Sequence, residues 1–156
     1  MDRMQLDAAI TGPAGSCGLG DQSVALRQRR PLAEIRILCI DDDADERDSL
    51  ALSLEVAGAR VTRACSAADA RMVLRYVSPH VLVSDLCMPV EDGFDFVKRF
   101  RSEENGRRRR VAAIAVTGLD RAEAQQRARI AGYDLLLTKP CAAADLIAAI
   151  TQLVRR

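Results

Sequence analysis

The chain has 156 residues, of which 49% are hydrophobic and 29% are charged, and its formal net charge is +1. This length fits one domain with a sizeable core, and the composition is that of an ordinary soluble globular protein. A near-neutral chain lacks the basic excess that marks nucleic-acid binding, so we predict no direct nucleic-acid partner.

The N-terminal part differs from the rest of the chain. Residues 1–33 contain the Gly-rich run GPAGSCGLG and little apolar periodicity. Such a segment buries too little apolar surface to offset the entropy lost on ordering it. We therefore predict a flexible N-terminal extension at residues 1–33 and a folded domain at residues 34–156.

From Glu34 onward, short apolar runs alternate with segments that have helical periodicity. This alternation is typical of strand–helix units around a parallel sheet, and it predicts an α/β fold. Predicted strands lie near residues 35–40, 60–64, 80–84, 111–116 and 134–138. Predicted helices lie near residues 44–57, 66–77, 94–104, 120–131 and 142–154.

Three local signals refine these helices. Gly58 can take the left-handed conformation that closes a helix, and Ser66 is suited to cap the start of the next one. The helix at residues 120–131 has mainly Ala124, Ala128 and Ala131 as inward candidates. Because alanines bury little area, we expect this helix to be the most loosely attached.

Four predicted strands are followed by residue types that suit a phosphate-handling site. Asp41 and Asp42 follow IRILCI, and Asp85 follows HVLVS. Thr117 follows VAAIAV, and Lys139 follows LLLT. The carboxyl ends of parallel strands lie at one edge of the sheet, where ligands bind, so we expect these side chains to share one pocket.

The residue types in this pocket indicate magnesium-assisted phosphoryl chemistry. Three neighbouring carboxylates repel each other, and a divalent cation removes that penalty. Mg²⁺ prefers a few carboxylate oxygens, which makes Asp41, Asp42 and Asp85 candidate ligands. A carboxylate can also be phosphorylated as a nucleophile, while a hydroxyl such as Thr117 and an ammonium such as Lys139 hold phosphoryl oxygens.

Each of these residues alone has a simpler interpretation. An Asp pair after a strand is usually a helix cap or a solvated charge, and we expect Asp43 to be such a cap. Lys139 alone would be a surface charge, and Thr117 alone would be a strand-end hydroxyl bonded to backbone. Their occurrence at four separate strand ends favours the site.

The joint pattern resembles the receiver domains of two-component response regulators, and in particular the stand-alone chemotaxis type. The resemblance covers about residues 34–156 and rests on CIDDD, SDLCMPVEDG, VTG and LTKP, which follow one another in the family order. It implies a doubly wound, flavodoxin-like, five-stranded parallel sheet in the order 2-1-3-4-5 with five helices.

The resemblance also implies roles for individual residues. Asp85 would accept a phosphoryl group from the phosphohistidine of a histidine kinase or phosphotransfer protein. Mg²⁺ would be held by Asp42 directly, by Asp41 chiefly through water, by Asp85, and by the backbone carbonyl of Cys87. The peptide bond between Lys139 and Pro140 would be cis, which X-Pro bonds tolerate.

Three positions depart from the usual family pattern. Many receivers have an aromatic ring three residues before the lysine, which moves together with the hydroxyl residue as a switch. Here that position is Leu136, and Tyr133 lies on the loop before the strand, so the Thr117 part of the switch is retained without its aromatic partner. Cys87 and Leu119 stand at the positions that tune hydrolysis, and neither side chain orients water well, so we predict slow self-dephosphorylation.

These observations predict a stand-alone receiver of a two-component or phosphorelay system, which switches partner binding and is not an enzyme in the usual sense. A pseudo-receiver scaffold and an aspartyl-phosphate phosphatase remain alternatives, although Cys87 stands where such a phosphatase would place a second acid. A receiver derived from a hybrid sensor kinase is also open, as is a phosphorylation-dependent homodimer. The kinase and the downstream protein target cannot be identified from the sequence.

Cysteine usage and apolar patterning indicate the compartment. The five cysteines are far apart and form no CxxC, which disfavours a disulfide framework or a zinc site. No apolar stretch approaches the ~20 residues that a membrane-spanning helix needs. We therefore predict a cytoplasmic protein without membrane insertion.

Overall fold

Strands and helices alternate along residues 30–104 and 110–155, which are the residues that this computed structural model describes. The strands are β1 Arg36–Ile40, β2 Arg60–Ala64, β3 Val81–Ser84, β4 Ala112–Thr117 and β5 Leu135–Thr138. The helices are α1 Ala44–Val56, α2 Ala67–Leu74, α3 Gly93–Glu103, α4 Arg121–Ala131 and α5 Ala143–Val154. The strands form one parallel sheet in the order β2-β1-β3-β4-β5, so the predicted fold class and strand order are confirmed.

The helix ends follow from local side-chain chemistry. The Asp43 carboxylate accepts the backbone N–H groups of the first turn of α1 at 3.0 Å, and the Ser66 hydroxyl accepts the Asp69 N–H at 3.1 Å. Gly58 follows α1 with a φ of 100°, as predicted. Helix α2 ends at Leu74, three residues before the predicted end, and the next turn is 3₁₀-like, since the N–H groups of Arg75 and Tyr76 donate to carbonyls three residues earlier.

The core has two layers, one on each face of the sheet. Helices α2, α3 and α4 cover one face together with inward side chains such as Leu38, Leu82 and Ala115. Helices α1 and α5 cover the other face, where Val83 and Ile114 are buried. Alternate residues of the central strands therefore point into opposite layers, which explains why these strands are apolar throughout.

Leu32, which lies within the predicted N-terminal extension, packs against the folded domain. Leu32 is 0% exposed in the layer beneath α1 and α5, and its N–H donates to the Ala57 carbonyl at 3.0 Å. A single leucine between proline and alanine has no periodicity, so the sequence pattern could not reveal this anchor. The predicted flexibility of residues 1–29 concerns residues outside the described ranges.

The side chains that helix α4 buries are all alanines. Its buried residues are Ala124, Ala128 and Ala131, as predicted. By contrast, the neighbouring helix α3 buries Phe94, Phe96, Val97 and Phe100. The area that α4 removes from water is therefore smaller than that of α3, although both helices have 11 residues.

Candidate functional site

The sheet topology brings the predicted site residues to one edge. β1 and β3 are neighbours at the centre of the sheet, so Asp41 and Asp85 leave adjacent strands at the same end. β4 ends at Thr117 beside β3, and Lys139 follows β5, the next strand. The backbone N–H of Lys139 donates to the Thr117 carbonyl at 2.7 Å, which fixes these two strand ends relative to each other.

Three carboxylates form a compact cluster at this edge. Asp41, Asp42 and Asp85 each offer an oxygen, and the three oxygens lie within 4.8 Å of one another. Asp41 and Asp85 are buried, whereas Asp42 is exposed. Hard oxygen donors with an open side are what Mg²⁺ requires, because this ion keeps several waters. The donor set therefore fits the predicted cofactor.

Lys139 supplies the positive charge beside this cluster. Its ammonium lies 3.1 Å from an Asp41 oxygen and 3.4 Å from an Asp85 oxygen, and it also contacts the Glu46 carboxylate. Burial alone would lower the pKa of Lys139, but hydrogen bonds to Glu46 and Asp41 more than offset this effect and raise it. The amine is therefore a cation at neutral pH.

The pKa of Asp41 is raised by its buried position in the cluster. Burial raises the pKa of this carboxyl, and the hydrogen bonds from Lys139 and from the Asp43 backbone oppose the shift only in part. The Asp43 N–H donates to one Asp41 oxygen at 3.0 Å, while Arg47 donates to the Asp41 backbone carbonyl at 2.8 Å. The strand end is thus fixed although its carboxylate is poorly solvated.

The two oxygens of Asp85 have different environments. One oxygen accepts the N–H groups of Leu86 and Cys87 at 2.6 and 3.1 Å. The other oxygen faces the Lys139 ammonium. Backbone hydrogen bonds therefore orient the carboxylate, while the oxygen beside the cation stays clear of them.

The remaining predicted residues lie on β4, on β5, or on the loops that follow β3 and β4. Thr117 is 0% exposed, and its hydroxyl oxygen accepts the Leu119 N–H at 3.3 Å. Leu136 is buried in the layer that contains α4, with Leu119 packed against that layer, whereas Cys87 is exposed. The bond between Lys139 and Pro140 is cis, as expected.

Sequence reasoning missed three residues around the site. Glu46 contacts Lys139 from the first turn of α1, where an acidic residue is ordinary because it complements the helix dipole. Ser84 directly precedes Asp85 and Tyr133 lies two residues before β5, and their buried hydroxyl oxygens are 2.6 Å apart. The one sequence feature that could have indicated this pair is a large aromatic residue, Tyr133, in a turn where small polar residues are usual.

A cavity of about 550 Å³ opens beside these groups. Asp41, Glu46, Asp85 and Lys139 line its polar side, and apolar residues such as Val116 line the other. Within the described ranges, no helix has the length and apolar character needed to cross a membrane.

Comparisons with known proteins agree with this arrangement. A family model for the response regulator receiver domain matches residues 37–151. An uncharacterized 14.6 kDa protein of Leptolyngbya boryana is 41% identical over 121 residues, which cover 78% of this chain and 91% of that protein. The DNA-binding dual master transcriptional regulator RpaA of Synechocystis is 31% identical over 121 residues, which cover 78% of this chain and 49% of RpaA.

Solved structures give the same result for the fold. The receiver domain of the Francisella response regulator 1452 matches with a TM-score of 0.72 and 26% identity, over 79% of this chain and 98% of that one. A CheY-like receiver domain from Methanospirillum hungatei matches with a TM-score of 0.70 and 26% identity, over 78% of this chain and 94% of that one. This chain spans about half the length of RpaA. The chain belongs to the response regulator receiver domain family.

Proposed function

We propose that this receiver accepts a phosphoryl group on Asp85 from the phosphohistidine of a histidine kinase or phosphotransfer protein. The observation that supports this most directly is the position of Asp85, with one oxygen held by two backbone N–H groups and the other beside Lys139. The free oxygen would form the new bond to phosphorus as the bond from phosphorus to the histidine nitrogen breaks. The imidazole of the donor then leaves with a proton from water.

Charge neutralisation is the main contribution that the other residues make. Lys139 would pair with one phosphoryl oxygen and Thr117 would donate a hydrogen bond to another. Asp41, Asp42, Asp85 and the Cys87 carbonyl would hold Mg²⁺, which when bound supplies the positive charge that offsets the carboxylates and the phosphoryl group. The phosphoryl group stays on the chain until it is hydrolysed, so the product is a signalling state and no metabolite is released.

Slow hydrolysis is part of this proposal. Cys87 is exposed beside the acceptor, and Leu119 is partly buried in the loop after β4. Neither side chain has a carboxylate or amide that would orient a water molecule for attack on phosphorus. We expect the adduct on wild-type protein to persist for minutes or longer, and a lifetime of a few seconds would contradict this.

Two rival functions make different predictions for the same assay. A phosphatase would turn over small phosphoesters continuously, and a pseudo-receiver scaffold would form no adduct. Purified protein is incubated with acetyl phosphate and Mg²⁺ and its intact mass is measured. The proposal predicts that wild-type protein gains one base-labile phosphoryl group per chain. No such group should form on Asp85→Asn, or on wild-type protein when the metal is chelated before acetyl phosphate is added.

The matched control is Asp43→Asn. Asp43 lies in the same acidic run but caps α1, and asparagine caps a helix about equally well. This variant should be phosphorylated like the wild type. An adduct that persists in Asp85→Asn would refute the acceptor assignment.

A further inference from the structure

A buried hydroxyl pair links the acceptor strand to the turn before β5. The Ser84 and Tyr133 hydroxyl oxygens are 2.6 Å apart. The Ser84 hydroxyl also lies 3.0 Å from the Asp85 carbonyl oxygen, and the Tyr133 hydroxyl lies 2.9 Å from the Gly93 carbonyl oxygen. Ser84 is 1% exposed and Tyr133 is 6% exposed, so water does not compete strongly for these contacts.

The pair has fewer hydrogens than contacts. Each hydroxyl donates one hydrogen, whereas three contacts need a donor. If Tyr133 donates to Gly93, Ser84 must donate to Tyr133, and the Asp85 carbonyl receives no hydroxyl hydrogen. If Ser84 donates to Asp85, Tyr133 donates to Ser84 and the Gly93 carbonyl loses its donor. The network therefore has two discrete arrangements.

Both hydrogens are retained at physiological pH. Burial raises the pKa of the Tyr133 phenol, and the neighbouring Asp85 and Asp92 charges act in the same direction, whereas the hydrogen bond with Ser84 opposes it. The phenol thus remains a donor as well as an acceptor.

The backbone on both sides of the pair is closely constrained. The Gly93 N–H donates to the Leu86 carbonyl at 3.0 Å. A side chain at Gly93 would collide with the Asp85 carbonyl oxygen and would lie 2.9 Å from the Tyr133 hydroxyl. On the other side, the Tyr133 N–H donates to the Ala128 carbonyl of α4 at 3.0 Å. A small movement of the acceptor loop therefore reaches the end of α4 through one side chain.

We propose that Tyr133 is a positioning residue that couples the main chain of Asp85 and Gly93 to the turn between α4 and β5. Occupation of Asp85 changes which carbonyl receives the hydroxyl hydrogen, and the turn responds. This inference rests on the proposed function, because the signal begins with a group bound to Asp85. It also assigns a coupling role to the Tyr133 ring, in a chain where Leu136 occupies the position of the usual aromatic residue.

The test compares Tyr133→Phe with wild type by amide NMR, using beryllofluoride and Mg²⁺ as the probe of the acceptor. In wild type, amides of the acceptor loop and of residues 132–135 should both shift. In Tyr133→Phe, the acceptor loop should shift as before, while the shifts at residues 132–135 should fall by roughly half or more, as expected for a lost coupling. Tyr76→Phe is the matched control, since Tyr76 is the other tyrosine of the chain and is 84% exposed.

A second variant keeps the test decisive if Tyr133→Phe folds poorly. Ser84→Ala removes the other hydroxyl and leaves the ring in place, so it should cause the same loss, and the double variant should add little because the two hydroxyls act as a unit. A merely structural tyrosine would leave the shifts at residues 132–135 intact in both variants, which would overturn the inference.

Spectroscopy of wild-type Tyr133 gives an independent readout. The chain has two tyrosines and no tryptophan, so in Tyr76→Phe the near-ultraviolet tyrosine absorption comes from Tyr133 alone. Beryllofluoride should then shift the tyrosine absorption band, and an unchanged band overturns the inference. If wild type shows neither a phosphoryl adduct nor shifts in the acceptor loop, the proposed function itself fails. If both are present but residues 132–135 do not respond, only the coupling inference fails.

Discussion

At the scale of single residues, ionisation of the Asp41 carboxyl weakens the fold. Its pKa is raised above the ordinary value of 3.8, chiefly by burial. The folded state therefore holds this proton more tightly than the unfolded chain does. The associated stability is present below pH 3.8, is lost as the pH rises through the folded value, and stays lost at neutral pH.

Asp41→Asn should consequently stabilise the metal-free protein at pH 7. Asparagine keeps an oxygen for the Asp43 N–H, removes a buried charge, and leaves Lys139 its contacts with Glu46 and Asp85. We expect the midpoint of thermal unfolding to rise by a few degrees, as a gain of about 1 kcal/mol would produce. The gain should vanish near pH 3.5 and should be absent in Asp43→Asn. A lower midpoint at pH 7 would show that the ion pair with Lys139 outweighs burial.

Glu46 competes with the proposed phosphoryl group for Lys139. The Glu46 carboxylate contacts the ammonium from α1 and is half-exposed, so it can move away when another anion arrives. Glu46→Gln removes this competitor and should increase the rate of phosphorylation by acetyl phosphate several-fold, measured by intact mass over time. Glu55→Gln, in the same helix but paired with Arg63, should leave the rate unchanged. A slower Glu46→Gln protein would mean that Glu46 positions the lysine for reaction.

Among the elements, α4 is attached to the core less firmly than its neighbour α3. Its buried side chains are three alanines, whereas α3 buries three phenylalanines. The Asp120 cap also holds this helix, as does the Arg127 guanidinium, which lies 4.2 Å from the centre of the Phe94 ring. Because detaching α4 exposes less apolar area than detaching α3 would, α4 can respond to a group bound at Asp85 more easily than α3 can.

Hydrogen exchange tests this description of α4. Amides of α4 should exchange faster than those of α3, and Asp120→Ala should increase α4 exchange further, since losing a helix cap costs about 1 kcal/mol. Asp92→Ala removes the corresponding cap of α3 and should have a smaller effect on that helix, because its aromatic residues hold it. Equal protection of α3 and α4 would contradict the account.

For the whole molecule, the sequence pattern predicted the elements and the reactive side chains at the ends of the strands. The alternation of buried runs and periodic segments predicted the elements, and the ends of β1, β3, β4 and β5 predicted which residues would meet. Strand order was supplied by the family resemblance, because periodicity does not specify which strands are neighbours.

What the pattern missed depends on contacts between distant residues. Leu32 has no periodic partners, Glu46 looks like an ordinary first-turn acid, and Tyr133 looks like a loop residue until Ser84 is placed beside it. Each of these residues acquires its role from a neighbour that only the folded chain provides. Sequence spacing therefore predicted which side chains meet at the edge of the sheet better than it predicted the side chains around them.

The proposed function requires that the carboxylate of Asp85 accept the phosphoryl group. An acyl phosphate is reduced by borohydride to an alcohol, so a phosphorylated aspartate becomes homoserine while free aspartates do not react. After phosphorylation with acetyl phosphate and Mg²⁺, borohydride reduction and peptide mass spectrometry should find homoserine at position 85 and at no other aspartate. Homoserine at Asp41 or Asp42, or none at any position in a phosphorylated sample, would contradict the account.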